Sequence, residues 1–310
     1  MLATPGVLPA VEAEHLWAAE SKADGQRSIL YLPGDGTLVL RSRSEADITP
    51  AYPELHLLAE ALGGRPAVLD GEIVALDDQG RPDFERLQPR MALAGSPAKA
   101  ARLARDMPAH LVLFDVMFLN GRSLLATPYA ERRAELERLD LRGPNWSTPA
   151  AIVGHSAQAL AATREHHLEG LVLKRLNSVY TPGVRSKAWI KIRNVQTVDA
   201  IIGGWVPGRG RLAGLPGALL LGERHGGALH FIGSVGTGWS ERERVTLAEL
   251  LSMAAIGNCP FDEEPAIEGA RWVLPRLVSE VRYVTRTRAG LLRHPSWHRL
   301  RPDLAPEDVE

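Results

Sequence analysis

The segment Glu20-Ser21-Lys22-Ala23-Asp24-Gly25-Gln26-Arg27 decides how this chain is interpreted. It places a lysine just before an Asp-Gly pair, which favours a tight turn, between two apolar segments. A free lysine has a pKa of about 10.4, so only a small fraction is neutral and nucleophilic near neutral pH. A turn that presents Lys22 inside a pocket, away from water or beside other cations, favours the neutral amine. By itself, however, Lys-x-Asp-Gly is more typical of a surface turn.

Downstream segments place polar side chains on apolar strands. Glu72 follows an Asp-Gly pair at the start of one strand, Phe114 lies inside another, and Glu169 and Lys174 occupy the two ends of a third. A ring at Phe114 could stack on a purine. Lys187, Lys191 and Arg193 alternate with apolar residues, so we expect them to share one strand face as a phosphate grip or a solvated edge. Each segment alone is compatible with an ordinary strand.

Hydrophobic periodicity in the first two thirds of the chain predicts strands and helices that alternate. The predicted strands are 26–32, 37–41, 67–76, 110–118, 170–174 and 187–193. The predicted helices are 53–62, 97–105, 128–139 and 156–167, three of which begin at a proline, as a first helical turn tolerates. The pattern predicts an α+β fold with a largely antiparallel core.

The sequence changes character after Arg193. Residues 194–238 are rich in glycine, with short strands predicted at 198–205, 218–223 and 228–235. A helix is predicted at 240–253 and a strand at 278–287. Several short strands with one helix are typical of a small OB-type barrel. We therefore expect two domains, 1–194 and 195–310, with the boundary near Arg193–Gln196.

The overall charge conceals two basic segments. The 310 residues carry a net charge of −1. Between Arg282 and Arg301, however, lie six arginines, two histidines and no carboxylate, and between Arg185 and Arg211 six cations stand against Asp199 alone. Because phosphate binding depends on local potential, the basic segments are compatible with nucleic-acid binding as well as with solvated strand faces. The single cysteine, Cys259, excludes a disulfide framework and a cysteine-rich zinc site.

Taken together and in order, these segments resemble the covalent nucleotidyltransferase superfamily of DNA ligases, RNA ligases and mRNA capping enzymes. More narrowly, the chain is similar to the ligase component of bacterial non-homologous end-joining DNA ligases. The similarity covers nearly the whole chain and extends through the segments 40–43, 51–55, 178–183, 217–222, 235–238 and 292–297. It implies an adenylation (nucleotidyltransferase) domain with ATP-grasp-like antiparallel sheets and helices at 1–194, followed by an OB-fold β-barrel domain at 195–310.

The resemblance assigns expected roles to individual residues. Lys22 matches the catalytic lysine that takes AMP from ATP, and Glu169, with Glu72 assisting, matches the carboxylates that serve a divalent metal. The expected AMP- and ATP-binding residues are Glu20, Arg27, Glu72, Phe114, Lys174, Lys191, Arg193 and Arg301. In particular, Glu20 lies beside the adenine in such enzymes, Phe114 stacks on it, and Lys174 and Lys191 contact the phosphates. Arg43 matches an arginine near the 5′-phosphate of a nick, and Arg185, Lys187, Arg286 and Arg288 are expected to contact DNA.

Two positions depart from the family pattern. Arg193 stands where lysine is usual, which keeps the charge but replaces a compact ammonium with a planar fork. Near the C-terminus, such ligases often carry Arg-x-Asp-Lys, which orients pyrophosphate for departure. Here Arg301 and Asp303 fit the pattern, but Leu304 replaces the lysine and cannot contact phosphate. We therefore predict slower self-adenylation.

The resemblance implies an ATP-dependent DNA ligase that seals 3′-hydroxyl/5′-phosphate nicks through lysyl–AMP and AMP-capped DNA, in end joining or in nick or excision repair. It implies ATP and Mg²⁺ or Mn²⁺ as cofactors, nicked double-stranded DNA as substrate, and a bacterial Ku-type end-binding protein as a possible partner. The expected protein is a cytoplasmic, nucleoid-associated monomer without a membrane association. Two alternatives remain open: a capping-type guanylyltransferase, and a non-catalytic nucleic-acid-binding adaptor that keeps only the fold.

Overall fold

A computed structural model of the chain describes residues 1–309. Contacts between Cα atoms divide it into two compact units, Met1–Asn194 and Val195–Glu310. The first unit combines helices with antiparallel sheets, and the second is built mainly from strands. The α+β class expected from the sequence is confirmed. Within residues 1–309, no helix is long and apolar enough to cross a membrane.

Strands, short helices and 3₁₀ turns follow one another along the chain. The strands are β1 (Leu2–Pro5), β2 (Trp17–Ser21), β3 (Gln26–Leu32), β4 (Val39–Ser42), β5 (Ala67–Ala75), β6 (Ala109–Leu119), β7 (Arg122–Ser123), β8 (Trp146–Ser147), β9 (Ile152–Val153), β10 (Gly170–Arg175), β11 (Arg185–Arg193), β12 (Gln196–Pro207), β13 (Pro216–His225), β14 (Ala228–Val235), β15 (Ala255–Ile256), β16 (Arg271–Tyr283), β17 (Thr285–Arg286), β18 (Leu292–Arg293) and β19 (Ser296–Leu300). The α-helices are α1 (Leu58–Ala61), α2 (Phe84–Met91), α3 (Pro97–Asp106), α4 (Tyr129–Arg138), α5 (Ser156–Glu165) and α6 (Glu241–Met253). Short 3₁₀ turns occupy Val11–Leu16, Thr49–Ala51, Pro53–Leu55, Gly210–Leu212 and Pro306–Asp308.

Two sheets form the framework of the first unit. One has the order β1-β11-β10-β2-β9, and the other has the order β4-β3-β5-β6-β7, with β8 beside β6. The chain passes from the first sheet to the second between β2 and β3, which is where Lys22 lies. The edge strand β1 runs parallel to β11, whereas β2, β10 and β11 pair antiparallel. The sequence pattern did not predict β1 or β2, because both are short and unremarkable in composition.

The predicted helix at 53–62 is wrong as a continuous element. The structure has a 3₁₀ turn at Pro53–Leu55 followed by the four-residue helix α1. Arg90 of α2, fully buried, donates to the backbone oxygen of Ala51 and forms an ion pair with Glu54. These tertiary partners hold the segment in a tighter turn, which helical propensity alone does not anticipate. Helix α2 itself, capped by the Asp83 side chain, was not predicted.

The second unit contains an antiparallel sheet with the order β14-β13-β12-β16-β15, and β19 pairs with β16. Helix α6 lies between β14 and β15 in the chain and begins with a capping box formed by Ser240 and Glu243. The strand predicted at 278–287 in fact begins at Arg271 and ends at Tyr283. The sequence pattern missed the first half of this strand because it contains Pro275, and proline is uncommon inside strands. A register shift against β12 between Ile202 and Gly204 lets the strand accommodate this proline.

Candidate active site

A cavity of about 140 Å³ lies between the two sheets of the first unit. It is lined by Ala3, Glu20, Ser21, Lys22, Ala23, Arg27, Glu72, Val112, Phe114, Pro149, Val172, Lys174, Trp189 and Lys191. Strand register explains this grouping. On one sheet Val172 pairs with Glu20 and with Lys191, and Lys174 pairs with Trp189. On the other, Glu72 pairs with Arg27 and with Val112, so each sheet contributes one row of side chains.

Lys22 occupies the connection between the sheets. Its backbone N–H donates to the oxygen of Gly170 at 2.8 Å, which fixes the end of β2 against β10. Packing explains why Lys-x-Asp-Gly ends in a glycine, Gly25. A Cβ at this position would lie 2.1 Å from the backbone oxygen of Ile73. The close approach of this turn to β5 therefore requires glycine. The turn holds the Lys22 side chain at the cavity wall, 20% exposed.

Glu169 binds the Lys22 ammonium. The Lys22 Nζ lies 2.5 Å from Glu169 Oε2, and Arg193 Nε donates to Glu169 Oε1 at 2.9 Å. Gly170 follows with a φ of +143°, and a Cβ there would lie 2.0 Å from the oxygen of Ile192. The Glu-Gly pair thus allows β10 to start against β11 with the carboxylate turned toward Lys22. The Arg193 guanidinium, at the position where lysine is usual in the family pattern, forms an ion pair with Glu169.

Arg27 and Glu72 form the opposite wall. Arg27 makes a bidentate ion pair with Asp70, which is fully buried and also accepts from the Tyr180 hydroxyl at 2.7 Å. Glu72 makes no hydrogen bond or ion pair with residues 1–309, and burial raises its pKa to about 8 against the positive charges of Lys22 and Arg27. This wall therefore holds an arginine fixed by a bidentate ion pair and, among the described residues, a carboxyl group without a hydrogen-bond partner.

Phe114 reaches the cavity through a β-bulge. Leu113 pairs with Gly71 and Asp115 pairs with Asp70, so Phe114 is the extra residue between them. Such a bulge redirects a side chain, and here the ring lines the cavity. Trp189 packs edge-on against Phe114, with 6.2 Å between the ring centroids, and is 2% exposed. Its indole N–H has no hydrogen-bond partner among the described residues.

Lys174, which was expected to contact phosphate, is buried at the cavity beside Glu20. It is 1% exposed, pairs with Glu20 Oε2 at 2.8 Å and donates to the backbone oxygen of Phe114 at 2.7 Å. Its ammonium also lies 4.6 Å from the ring centroid of Phe114 and 4.5 Å from that of Trp189. Lys191 instead lies toward Lys22 and Arg193. Burial, followed by the charges of Arg193 and Lys22, lowers its pKa.

Of the three cations predicted to share one strand face, Lys191 lines the cavity and Arg193 binds Glu169. The register between β1 and β11 shifts between the pairs Ala3–Ser186 and Thr4–Ile190, and Lys187 lies inside this interrupted stretch. It is exposed and does not line the cavity. Arg185, also exposed, donates to the backbone oxygen of Ala3 at 2.6 Å.

A wider groove opens on the other side of Arg27. It is lined by Met1, Leu2, Arg27, Ile29, Tyr31, Arg41, Ser42, Arg43, Glu45, Val68, Met117, Phe118, Ser123, Leu125, Tyr180, Pro182 and Gly183, and its volume is about 770 Å³. Arg43 is exposed here and makes no hydrogen bond or ion pair with residues 1–309. Since Arg27 lines both spaces, the groove adjoins the cavity.

The remaining predicted residues lie in the second unit. Arg286 forms an ion pair with Glu223, and Arg288 is exposed in the turn after β17. Arg301 donates to Asp199 at 2.7 Å and pairs with Asp303. Leu304 is partly buried against the apolar cluster that contains Ile201, Leu220, Leu229, Phe261, Val278 and Val309. The residue that replaces the expected lysine thus packs against the barrel core.

Mg²⁺ takes oxygen ligands and is often bound through one or two carboxylates together with waters and substrate phosphates. Glu72 presents such oxygens at the cavity, and Glu169 lies next to it, against Lys22. The charge of Glu169 contributes to the raised pKa of Glu72. No group of three or more His, Cys, Asp or Glu side chains arranged for a metal occurs among residues 1–309. The residues present therefore fit a phosphate-assisted Mg²⁺ site and do not form a closed protein cage.

Several residues of this site were not predicted individually from the sequence. Asp70 and Trp189 fall inside the motifs that were recognised, and their positions in those motifs could have singled them out. Tyr129 and Arg133 lie outside the recognised segments and reach the site only through the fold. Tyr180 lies in the segment 178–183 that carried the resemblance, but no role was assigned to it.

Two family models match the chain. Residues 1–193 match the ATP dependent DNA ligase domain, and residues 213–304 match the ATP dependent DNA ligase C terminal region. The chain belongs to the ATP-dependent DNA ligase family. This membership confirms the resemblance inferred from the ordered motifs, and with it the nucleotidyltransferase and OB-fold architecture.

Curated relatives of this ligase include larger proteins. The multifunctional non-homologous end joining protein LigD of Mycobacterium bovis is 41% identical over 312 residues, which cover 100% of this chain and 39% of the relative. A protein of the same name from Pseudomonas aeruginosa is 33% identical, with 94% of this chain and 34% of the relative covered. The chain thus spans about two fifths of the length of the mycobacterial relative.

Solved structures agree with the family. The ligase domain of Mycobacterium tuberculosis LigD matches with a TM-score of 0.56 and 40% identity, covering 100% of this chain and 96% of that chain. A mycobacterial DNA ligase D complexed with ATP and MES matches equally well, with a TM-score of 0.56 and 40% identity. A Lig E DNA ligase, at 20% identity and a TM-score of 0.60 with 93% of each chain covered, shows the shared fold alone.

Proposed function

We propose that this ligase seals 3′-hydroxyl/5′-phosphate nicks in double-stranded DNA, with Lys22 as the covalent acceptor of AMP. The observation that carries the proposal is the position of Lys22. Its ammonium contacts Glu169 at the wall of a cavity that also holds Phe114, Glu72 and Lys191. A nucleophile, an aromatic surface, cations and carboxylates are the groups that nucleotidyl transfer from ATP requires.

In the first step, the neutral Lys22 amine attacks the α-phosphorus of ATP, a nitrogen–phosphorus bond forms, and the bond to the leaving pyrophosphate breaks. Phe114 stacks on the adenine, while Arg27 and Glu72 hold the ribose and neighbouring groups. Lys191 and Arg193 stabilise the charge that develops on the phosphates. Glu169, assisted by Glu72, would hold a divalent metal, Mg²⁺ or Mn²⁺, which supplies further stabilisation of phosphate charge.

Lys22 must lose a proton to water and leave Glu169 before it can attack, because an ammonium has no lone pair. Binding of ATP brings negatively charged phosphates beside Glu169. These phosphates compete with the Glu169 carboxylate for the Lys22 ammonium. Arg193 stays on the second oxygen of Glu169 and keeps the carboxylate in place. The ion pair thus holds the Lys22 side chain at the cavity wall while it is protonated and unreactive.

In the second step, an oxygen of the nick 5′-phosphate attacks the lysyl–AMP and releases Lys22. In the third, the 3′-hydroxyl attacks that phosphate, AMP leaves and the strand is sealed. Arg43, exposed in the groove beside Arg27, binds the 5′-phosphate. Arg185, Lys187, Arg286 and Arg288 contact other phosphates, and Arg301 of the second domain contacts the ATP phosphates during the first step.

We further propose a role in bacterial DNA repair, as the relatives named for non-homologous end joining suggest. A Ku-type end-binding protein is the partner that this pathway implies. Residues 1–194 would act as the adenylation domain and 195–310 as the OB-fold domain of a monomer that works in the cytoplasm at the nucleoid. Comparing the sealing of nicked and double-strand-broken DNA, with and without such a partner, tests this assignment.

The function is tested by labelling and sealing together. The protein is incubated with Mg²⁺ and α-labelled ATP or GTP, separated on a denaturing gel, and then assayed on a nicked duplex. Wild type and Lys99→Ala, which changes an exposed lysine of α3, should form the adduct with ATP and seal the nick. Lys22→Ala should do neither. Labelling by GTP alone would favour the guanylyltransferase, and absence of both labelling and sealing would favour the adaptor.

A further inference from the structure

A second cavity, of about 170 Å³, adjoins the first one at Lys22. The residues that line both cavities are Ser21, Lys22, Ala23, Val112 and Pro149. The rest of its wall consists of Leu76, Gly80, Pro82 and Leu168 together with two polar side chains, those of His110 and Ser147. A polar cavity of this size has room for water. The second cavity therefore joins Lys22 to a histidine that the mechanism has not used.

Strand register brings His110 and Ser147 to this cavity. His110 and Val112 are two residues apart on β6, so their side chains lie on the same face of the sheet. Strand β8 runs parallel to β6 and places Ser147 opposite Val112. The His110 Nε2 and the Ser147 Oγ lie 2.8 Å apart. The two side chains thus form a hydrogen-bonded pair beside the wall that both cavities share.

A second hydrogen bond fixes the tautomer of His110. The ring also donates to the backbone oxygen of Pro144. Because Nε2 faces Ser147, this donor is Nδ1, so the neutral ring accepts at Nε2 and Ser147 donates to it. Burial lowers the pKa of half-buried His110 below its ordinary 6.5, against the opposing effect of Pro144. The ring is therefore neutral near pH 7, and the lone pairs of the Ser147 hydroxyl can accept from water.

We propose that Ser147 and His110 relay the proton that Lys22 loses before it attacks ATP. The inference rests on the proposed ligase function and specifies where that proton goes. A water in the second cavity takes a proton from Lys22 Nζ and passes one of its own to Ser147 Oγ. The hydroxyl proton of Ser147 moves to His110 Nε2, and His110 later returns a proton to solvent. The electron pair left on Nζ is then available to form the bond with the α-phosphorus.

Occupation of the first cavity by the nucleotide favours a separate path for this proton. The first cavity measures about 140 Å³, so a bound nucleotide displaces water from it. Lys22 must lose its proton while the nucleotide is present. The second cavity still reaches Lys22 in that state and keeps its two polar side chains.

The charged groups around the relay have other partners or line the other cavity. Glu169 accepts from Lys22 and Arg193, and Glu72 lines the first cavity. The turn that contributes Gly80 and Pro82 to the wall also carries two ion pairs, Asp77 with Arg81 and Asp78 with Arg86. Within residues 1–309, none of these carboxylates is a hydrogen-bond partner of His110. Burial and the Pro144 oxygen, rather than a neighbouring charge, therefore govern its pKa.

The relay is tested by the pH dependence of enzyme–AMP formation, measured in a single turnover with saturating ATP and Mg²⁺. His110→Gln keeps a hydrogen-bond acceptor for Ser147 but cannot titrate, so it should slow adenylation about 100-fold near pH 7.5. The ratio of the wild-type rate to the variant rate cancels the titration of Lys22. This ratio should be constant at high pH. It should fall toward one as the pH drops through the pKa of His110, which lies below 6.5.

Further variants separate the two members of the relay. Ser147→Ala should lose as much rate as His110→Gln, whereas Ser147→Thr, which keeps the hydroxyl, should retain most of it. His110→Ala leaves space for imidazole, and added imidazole should restore the rate in proportion to its neutral fraction. His166→Gln is the matched control, because His166 is exposed and lines neither cavity.

A nick whose 5′-phosphate already carries AMP distinguishes the relay from a general structural role. Sealing this substrate does not require a neutral Lys22, so His110→Gln should seal it at the wild-type rate. An equal loss in both reactions, a constant rate ratio across the pH range, or no effect of imidazole would refute the relay. A wild type that forms no adduct with ATP and seals no nick would refute the ligase function itself, so the two failures are distinguishable.

Discussion

Lys22 Nζ and Glu169 Oε2 lie 2.5 Å apart, although the two residues are separated by 147 positions in the chain. Glu169 also binds Arg193, so a single carboxylate links the turn after β2 with the facing ends of β10 and β11. The ion pair orients the proposed nucleophile before nucleotide binds. It also means that the same carboxylate serves Lys22 and would serve a metal.

Glu169→Gln should lower the rate of Lys22 adenylation by about 100-fold, because the amide lacks the charge that orients Lys22 and would bind the metal. The fold should persist, since the amide oxygen can still accept a hydrogen bond. Single-turnover formation of enzyme–AMP over a range of Mg²⁺ concentrations measures this effect. Glu12→Gln, an exposed position, is the control. A rate within about threefold of wild type would contradict the role of Glu169.

Glu72→Gln should change how stability depends on pH. The pKa of Glu72 rises from an ordinary 4.5 to about 8 in the folded, nucleotide-free protein. A raised carboxyl pKa gives stability that is complete below the unfolded value and is lost as the pH rises through the folded value. Wild type should therefore lose stability relative to Glu72→Gln between pH 4.5 and 8. If wild type and Glu72→Gln differ in melting temperature by the same amount near pH 4.5 and near pH 8, Glu72 has no pH-dependent effect on stability.

Arg27→Lys should raise the KM for ATP about tenfold and lower the melting temperature. A lysine cannot reproduce the bidentate pair with Asp70, a fully buried carboxylate, and it loses the planar contact with Phe114 and Trp189. Arg81→Lys changes the same residue type in a more exposed pair with Asp77 and should have little effect. Equal melting temperatures for the two variants would mean that Asp70 does not require the bidentate contact with the Arg27 guanidinium.

Gly25→Ala should destabilise the first domain by about 3 kcal/mol, because the new methyl group would meet the oxygen of Ile73 and force the turn away from β5. Gly95→Ala adds the same methyl group where no atom lies within 4 Å. Denaturant unfolding of both variants measures the difference. If they unfold alike, the close approach of the Lys22 turn to β5 does not constrain this position.

Leu304→Lys should have two opposing effects. At low ATP it should speed enzyme–AMP formation, because it restores the phosphate-binding side chain of the family pattern. It should also lower stability by about 1–2 kcal/mol, because Leu304 packs against the cluster around Ile201 and Val309. Leu304→Gln should lose the packing without gaining rate. A lysine variant no faster than wild type at low ATP would refute the prediction that Leu304 slows loading.

The strands that carry Arg27, Glu72, Phe114, Lys174 and Lys191 were predictable because apolar runs bounded by glycine, proline and aspartate mark them. The predicted helix at 53–62 and the start of β16 were wrong where distant partners override local preference. Arg90 binds the backbone of Ala51, and a register shift accommodates Pro275. The partners of these segments are distant in the chain, so the local sequence does not show them.

The sequence alone determined the family, the lysine and the order of the motifs, because the spacing of residues such as Lys22, Glu169 and Lys191 is a property of the chain itself. Only the tertiary structure decided which cation faces which carboxylate. Strand pairing brings Lys174 to Glu20 and sends Lys22 to Glu169, and a bulge turns Phe114 into the cavity. The Glu20-x-Lys22-x-Asp24-Gly25 segment became a site because Gly25 fits against β5 and the two sheets meet around it. Register and close approach are set by packing between distant segments, which local sequence does not encode.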